Sequence, residues 1–266
     1  MRGNDLIIAT TLINDALAFG KNIFLATDSG IYFSSDYGEN FDYSHSVISA
    51  TKIYKFEKYE DKIFAGTDNG VFVFNGKDWD DFALQGEDIY ALKFFGDFLF
   101  CGGENEIFVL QNGETVNGFE NTGRVQVFSI FTEKLLAGTS KGLFEITRSH
   151  MERVFEEPVL SLSSSENLYL GLHSGVAVSS DLKNFQKALL GGEIIRAVLS
   201  VPHSKEDIVF AGSDSGLWVS FDSGKTFPEK KLKNVHIFSL SPSEIQGEIL
   251  VGSWGRGLIK YSLGRT

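Results

Sequence analysis

The stretch Ile63-Phe64-Ala65-Gly66-Thr67-Asp68-Asn69-Gly70-Val71 decides how this chain folds. Two apolar, β-rich runs flank a polar turn, and the glycine that ends the turn supplies the positive φ a tight hairpin needs. The same phrase returns, with variations, at residues 23–31, 99–107, 135–143, 168–176 and 209–217, and at 249–258 with one residue more in its turn. A small residue stands fourth in every copy: Ala26, Gly66, Gly102, Gly138, Gly171, Gly212 and Gly252, at spacings of 33 to 41 residues. Seven copies at this period match a β-propeller, in which one four-stranded blade takes about 40 residues. No 3.6-residue apolar period is sustained anywhere, which excludes helical and leucine-rich solenoids. The small anchor predicts that neighbouring sheets approach closely at that point.

Each hairpin is preceded by a further β-rich run, read as the innermost strand of its blade. These runs are Asp15–Leu17, Ile53–Phe56, Ile89–Leu92, Val127–Ile130, Val159–Leu162, Ile195–Val198 and Ile237–Leu240. Most pair a small residue with an aliphatic one, as packing around a narrow axis requires. The turn inside each phrase and the loop ahead of the inner strand then share one face, here called the top. The seventh blade is a strand short, because only Leu258–Ser262 follows its turn. Residues 1–10, with the apolar run Leu6–Thr10, are expected to complete the blade formed by 235–263 and leave no open edge. The expectation is one all-β, seven-bladed domain over residues 1–266, four antiparallel strands per blade.

Composition agrees with a folded core, with 42% apolar residues, 24 phenylalanines and few prolines in 266 residues. The formal net charge of −11 argues against a phosphate-backbone binder, which needs clustered Lys and Arg, so no nucleic acid is expected. Cys101 is the only cysteine, so no intrachain disulfide forms. It stands directly before an anchor glycine and reads as core. The N-terminal apolar run is too short for a signal segment, and no run reaches the roughly 20 residues of a membrane helix. The default expectation is a cytoplasmic protein without membrane insertion, with a secreted mature form left open.

Two loops carry a recognisable motif. Ser34-Ser35-Asp36-Tyr37-Gly38-Glu39-Asn40-Phe41 lies in blade one, and Ser220-Phe221-Asp222-Ser223-Gly224-Lys225-Thr226-Phe227 in blade six. Both resemble the Asp-box, Ser-x-Asp-x-Gly-x-Thr-aromatic, of sialidase-, sortilin- and oligoxyloglucan-hydrolase-type propellers. A shortened relic, Ser179-Ser180-Asp181-Leu182-Lys183-Asn184-Phe185, falls in blade five, and blade two keeps a remnant ending at Trp79. The box reads as structural: Ser34, Asp36, Gly38 and Phe41, like Ser220, Asp222, Gly224 and Phe227, are turn formers plus an aromatic for the blade. Photosystem II assembly factors of this group are similar in size and blade count, and there the propeller is a scaffold.

Catalytic residues do not emerge. The resemblance to sialidases implies three arginines around a carboxylate and a tyrosine nucleophile, yet the arginine-initiated opening phrase of that family is missing. Of the seven arginines only Arg124, Arg196 and Arg256 are placed to approach the axis. A paired-carboxylate glycosidase could draw on Asp28, Asp68, Glu104 and Asp214, with Asp15 and Asp88 nearby, but Asp is an ordinary turn residue. The five histidines fall in different repeats without ligand spacing, so neither metal nor cofactor is expected. What remains is a non-enzymatic platform for a protein partner, the chain itself monomeric. The alternative is a glycan-binding or glycan-cleaving propeller with an oligosaccharide ligand. The expected site is the top face: Asp28, Asp68, Glu104, His173, Asp214, Trp254 and Arg256 from the varying turns, with Tyr54, Tyr90 and Arg196 near the mouth. The acidic turns point to a basic partner.

Overall fold

The computed structural model describes residues 11–43, 52–147, 149–204 and 206–263. Seven antiparallel sheets follow one another in the order of the repeats, six of four strands and a last one of three among the described residues. The inner strands are Ile13–Phe19, Ile53–Tyr59, Ala91–Phe95, Val125–Phe131, Ser161–Ser164, Ile195–Val201 and His236–Pro242. Each packs on the next, and the seventh packs on the first, so the sheets close a β-propeller ring. The last sheet runs His236–Pro242, Glu248–Trp254, Leu258–Ser262. The strand expected from Leu6–Thr10 to complete it lies outside the described residues.

The core sits in the seams between blades. Phe24, Ile31, Ile53, Phe56 and Trp79 fill the seam between blades one and two, and Ile13, Leu25, Leu250 and Leu258 fill the seam between seven and one. Cys101 is fully buried in the seam of blades two and three, and burial pushes its thiol up.

The anchor glycines explain why the seams close so tightly. A β-carbon on Gly102 would stand 2.5 Å from Val125, on Gly138 2.8 Å from Val159, and on Gly212 2.4 Å from Ile237. On Gly66 and Gly171 it would meet the carbonyls of Ile89 and Ile195 at 2.6 and 2.7 Å. Gly252 faces Ile13 in the same way, at 2.8 Å. In each case one neighbour is the β-branched residue at the entry to the next blade's inner strand, joined at Gly138, Gly171 and Gly252 by Val127, Ser161 and Ser239 of the glycine's own blade. The next-blade residue acts as a wedge, and the glycine is its seat. Ala26 holds the seat position of blade one, in the cluster that contains the wedge Ile53.

A second regularity follows the wedge. Ile13 pairs with Thr27 but Asp15 pairs with Ala26, so Asn14 is left over as a β-bulge. The same step occurs after Ile53, Val125, Ile195 and Ile237. A bulge re-aims the extra side chain away from the pairing plane. The hydroxyls of Thr27, Thr67, Thr139, Ser213 and Ser253 fasten the turn above by donating to the carbonyl of its closing glycine, at 2.7–3.1 Å.

At the opposite end, the serine–aspartate turns are held by their own side chains. Ser34 Oγ donates to Asp36 Oδ1 at 2.7 Å and accepts the Gly38 N–H at 2.8 Å; Asp36 also accepts the Asn40 N–H at 2.9 Å. Ser220, Asp222, Gly224 and Thr226 repeat this at 2.7, 2.9 and 2.9 Å. The shortened loop of blade five keeps the same logic, with Asp181 accepting the N–H groups of Lys183 and Asn184 at 2.9 and 2.8 Å. The Asn40 N–H and side-chain amide, with Ser34, hold the Asp36 carboxyl down at about 2. Phe227 is buried and Phe41 packs beside Ile23 and Leu25.

Two stability outcomes are expected. Gly212→Ala forces a methyl against Ile237 and costs about 1–3 kcal/mol by denaturant unfolding. Combined with Ile237→Ala, it costs clearly less than the two separate losses, because the clash partner is gone. Asp222→Ala strips the blade-six turn of its acceptor and costs about 1–2 kcal/mol in the same assay.

Candidate functional site

The ring leaves a cavity of about 410 Å³ on its axis. The residue after each wedge lines it: Asn14, Tyr54 and Tyr90 from the first three blades, then Gln126, Leu160, Arg196 and Phe238 from the other four. In five blades that residue is the bulge; Tyr90 and Leu160 reach the axis from directly ahead of their inner strands. Lys52 and Arg124, one residue ahead of the wedges Ile53 and Val125, also line the cavity.

These side chains form a belt of cations over rings. The Arg124 guanidinium carbon lies 3.8 Å from the centre of the Tyr90 ring, Arg196 5.0 Å from Phe238, and Lys52 Nζ 5.3 Å from Tyr54. Tyr54 and Tyr90 meet edge to face at 4.7 Å. The Tyr54 hydroxyl donates to Asp88 at 3.1 Å, and burial together with that carboxylate pushes its phenol up. Burial also raises the Tyr90 phenol, to about 12, against the opposing charge of Arg124. Both tyrosines are therefore neutral donors at physiological pH.

The sequence-predicted turn residues surround this belt in three ways. Asp28, Asp68, Glu104 and Asp214 are engaged from below. Asn14 Nδ2 donates to Asp28 at 2.9 Å, the Lys52 N–H to Asp68 at 3.1 Å, and Arg196 clamps Asp214 at 2.7 and 3.3 Å. Glu104 stands 4.0 Å from Arg124. Tyr54, Tyr90 and Arg196 line the cavity, as their strand positions suggested. His173, Trp254 and Arg256 are exposed in the turns of blades five and seven and do not line it. Trp254 is 60% exposed, with the His236 ring against its edge.

The turn carboxylates alone gave a one-sided picture of the charge. Lys52, Lys55, Arg124 and Arg196 line the cavity against the single carboxylate Asp15 among the described residues. Asp15 is spent on the fold: its carboxylate, 5% exposed, takes Lys55 Nζ and the Phe56 N–H, each at 2.9 Å. Lys52 was absent from the sequence-predicted set, and so was Arg124, whose approach to the axis was nevertheless legible. Their shared signal is the position directly before a β-branched wedge.

Glu193 was also missed. It sits in the loop between blades five and six, after Gly191 and Gly192, and collects donors from Ser213 (2.6 Å), Ser215 (2.8 Å), Trp218 Nε1 (3.0 Å) and Lys230 (2.6 Å). Burial alone would push its carboxyl up, but Lys230 and then Ser213, Trp218 and Ser215 outweigh that and hold it near 2. With three donors on Oε2 and Lys230 on Oε1, Glu193 fastens the rim.

Comparison with known proteins supports the architecture. No family model matches the chain, and no curated protein matches it significantly. Among solved structures it is similar to the extracellular domain of BT4673 from B. thetaiotaomicron, at 15% identity and a TM-score of 0.83. That match covers 100% of this chain but only 41% of the other. It is similar to YCF48 bound to D1 peptide, at 12% identity and a TM-score of 0.75 over 97% and 96% of the two chains. An ancestral GH74 enzyme matches at 15% identity and a TM-score of 0.76, over 96% of this chain and 45% of that one. The class so defined is the seven-bladed β-propeller, and at these identities the likeness is one of fold. Among the described residues no helix is long and apolar enough to cross a membrane, and no three His, Cys, Asp or Glu side chains cluster as a metal site would require.

Glu193 gives this site a pH signature. A carboxyl held below its ordinary value of 4.5 stabilises the fold fully above that pH, and the contribution fades as pH falls toward 2. Thermal unfolding of the wild type is therefore expected to fall steeply between pH 4.5 and 2, and that of Glu193→Gln less steeply.

Proposed function

We propose that this chain is a non-enzymatic platform that holds a protein partner on the top face of one propeller, with residues 1–10 completing the blade of 235–263. The observation that carries the reading is the axial mouth. A cavity of about 410 Å³ opens among fixed aromatic and cationic side chains contributed by separate blades. Aromatic and arginine anchors on a rigid frame are the groups that dominate protein interfaces, and they lose little conformational freedom on binding. Tyr54, Tyr90 and Arg196 form the centre of the proposed site. Asp28, Asp68, Glu104, His173, Asp214, Trp254 and Arg256 form its outer ring.

The carboxylates support this reading over catalysis. A glycosidase acid needs a carboxyl raised toward neutrality, aimed at the substrate. Asp15, the carboxylate of the cavity wall, is instead ion-paired and hydrogen-bonded. The serine–aspartate turns are read as Asp-boxes with a purely structural role, at the far end of the ring.

The test compares the two ends of the ring. Immobilised full-length protein is used to capture partners from native lysate, and the captured protein is then titrated against purified variants. Tyr90→Ala and Trp254→Ala are expected to weaken it at least about tenfold, the size of a modest hot spot. Asp222→Ala, at the opposite end, leaves affinity unchanged. Unchanged affinity in both the mouth variant Tyr90→Ala and the outer-ring variant Trp254→Ala overturns the reading, and turnover in a parallel oligosaccharide-hydrolysis screen transfers it to the glycan class.

A further inference from the structure

We infer that the axial mouth receives an acidic segment of the partner, whose carboxylates dock on Arg124 and Lys52; the inference rests on the platform reading above. It reverses the polarity that the turn sequences suggest, and the reason is which charges are already satisfied. Asp28 accepts Asn14 at 2.9 Å, Asp68 accepts a backbone N–H, Asp88 accepts Tyr54, and Asp214 is clamped by Arg196. The acidic groups of the rim have internal donors. Two of its cations are less well served.

Arg124 is the clearer case. Its nearest carboxylate, Glu104, stands 4.0 Å away, and its Nε is buried without a hydrogen-bond partner. A guanidinium carries five donors in a planar fork that matches a carboxylate; Nε is closed to solvent, so a docking carboxylate meets the Nη donors of this 41% exposed side chain. Lys52 is similar: its ammonium is 3.6 Å from Asp28, beyond hydrogen-bond length, while the same oxygen of Asp28 takes Asn14. The two cations belong to the entries of blades two and four. Between them lie the rings of Tyr54 and Tyr90, in contact with each other and each covered by one of the cations.

That stacking matters for affinity. A cation already held over a ring loses little freedom when an anion arrives, and its ring face is already desolvated. The displaced competitor is weak, because Glu104 is 68% exposed and such a solvent-exposed pair is worth about 0–1 kcal/mol. The cavity volume falls within the range of about 300–1,000 Å³ that small ligands and short segments occupy. A long polyanion is disfavoured by the net charge of −11, whereas a segment with a few carboxylates reaches the local cations without approaching the acidic surface at length.

The experiment titrates the full-length protein by calorimetry with acetylated, amidated tetraglutamate, tetralysine and tetraglycine peptides. Tetraglutamate is expected to bind more tightly than the other two and to weaken as salt is added. Arg124→Gln and Lys52→Gln each lower that affinity about fivefold, equivalent to about 1 kcal/mol. Glu104→Gln, which leaves both cations in place and removes the competitor at Arg124, raises it. Thermal unfolding of each variant verifies an intact ring. Tetraglutamate binding no better than tetraglycine overturns the inference, as does binding indifferent to both cation substitutions. Tight tetralysine binding that Glu104→Gln weakens also overturns it, in favour of a basic partner at the same mouth. The platform reading fails separately, on the captured partner's indifference to Tyr90→Ala and Trp254→Ala.

Discussion

The fit of a β-branched wedge onto a glycine seat is the contact on which the rest of this ring depends. Sheets normally pack about 10 Å apart, with side chains interleaved from both faces. Near the axis of a propeller the wedge-shaped space leaves no room for two side chains. The solution here is to give all of that space to one of them. Ile13, Ile53, Ile89, Val125, Val159, Ile195 and Ile237 are each fully buried, and at the six glycine seats an added methyl would stand 2.4–2.8 Å from the wedge. No small adjustment of rotamers absorbs that overlap where the neighbour is a backbone carbonyl, as at Gly66 and Gly171.

Polar links run around the ring beside these wedges, and magnitude separates the structural ones from the rest. Glu57 accepts Lys93 at 3.0 Å and the Phe94 N–H at 3.3 Å, as Asp15 does from Lys55 and Phe56 one blade earlier. Later blades replace the carboxylate by serine: Ser129 donates to Ser164 at 3.1 Å, and Ser163 accepts the Ser200 N–H at 2.9 Å. Asp15 is itself buried, so removing its partners leaves a carboxylate short of donors, whereas an exposed pair at the rim is worth less than about 1 kcal/mol. The inner strands are therefore tied through buried acceptors such as Asp15, while the rim pairs lie between exposed groups. Rigidity and recognition occupy different layers of the same cavity.

Much of this was legible in the sequence, for a physical reason. The hairpin phrase repeats because each blade solves the same packing problem, so the anchors 66, 102, 138, 171, 212 and 252 stand out as glycines. Cys101 read as core because it fills a position that alanine or leucine fills elsewhere. The inner strands were placed, and with them Tyr54, Tyr90 and Arg196. The bulge after the wedge was not legible, since it adds one residue without changing the alternation that a reader can see. Lys52 went unnoticed because it stands ahead of the inner strand, in a stretch read as loop. Asp28, Asp68 and Asp214 were visible as turn residues, while the donors that satisfy them come from other positions and were not.

The seating of wedges also has a direction. Six of them rest on the blade immediately before their own, so each of those contacts spans fewer than 30 residues of chain, and a growing chain always finds the next seat already built. Only Ile13 differs, because its seat, Gly252, belongs to the last blade and lies roughly 240 residues away. Chain entropy rises only with the logarithm of loop length, so about three doublings add roughly 2 kcal/mol to that one closure. Full burial of an isoleucine returns about as much. Closing a circle from a linear chain thus costs this protein no more than one well-packed side chain can offset, and the other six seats remain contacts between neighbours in sequence.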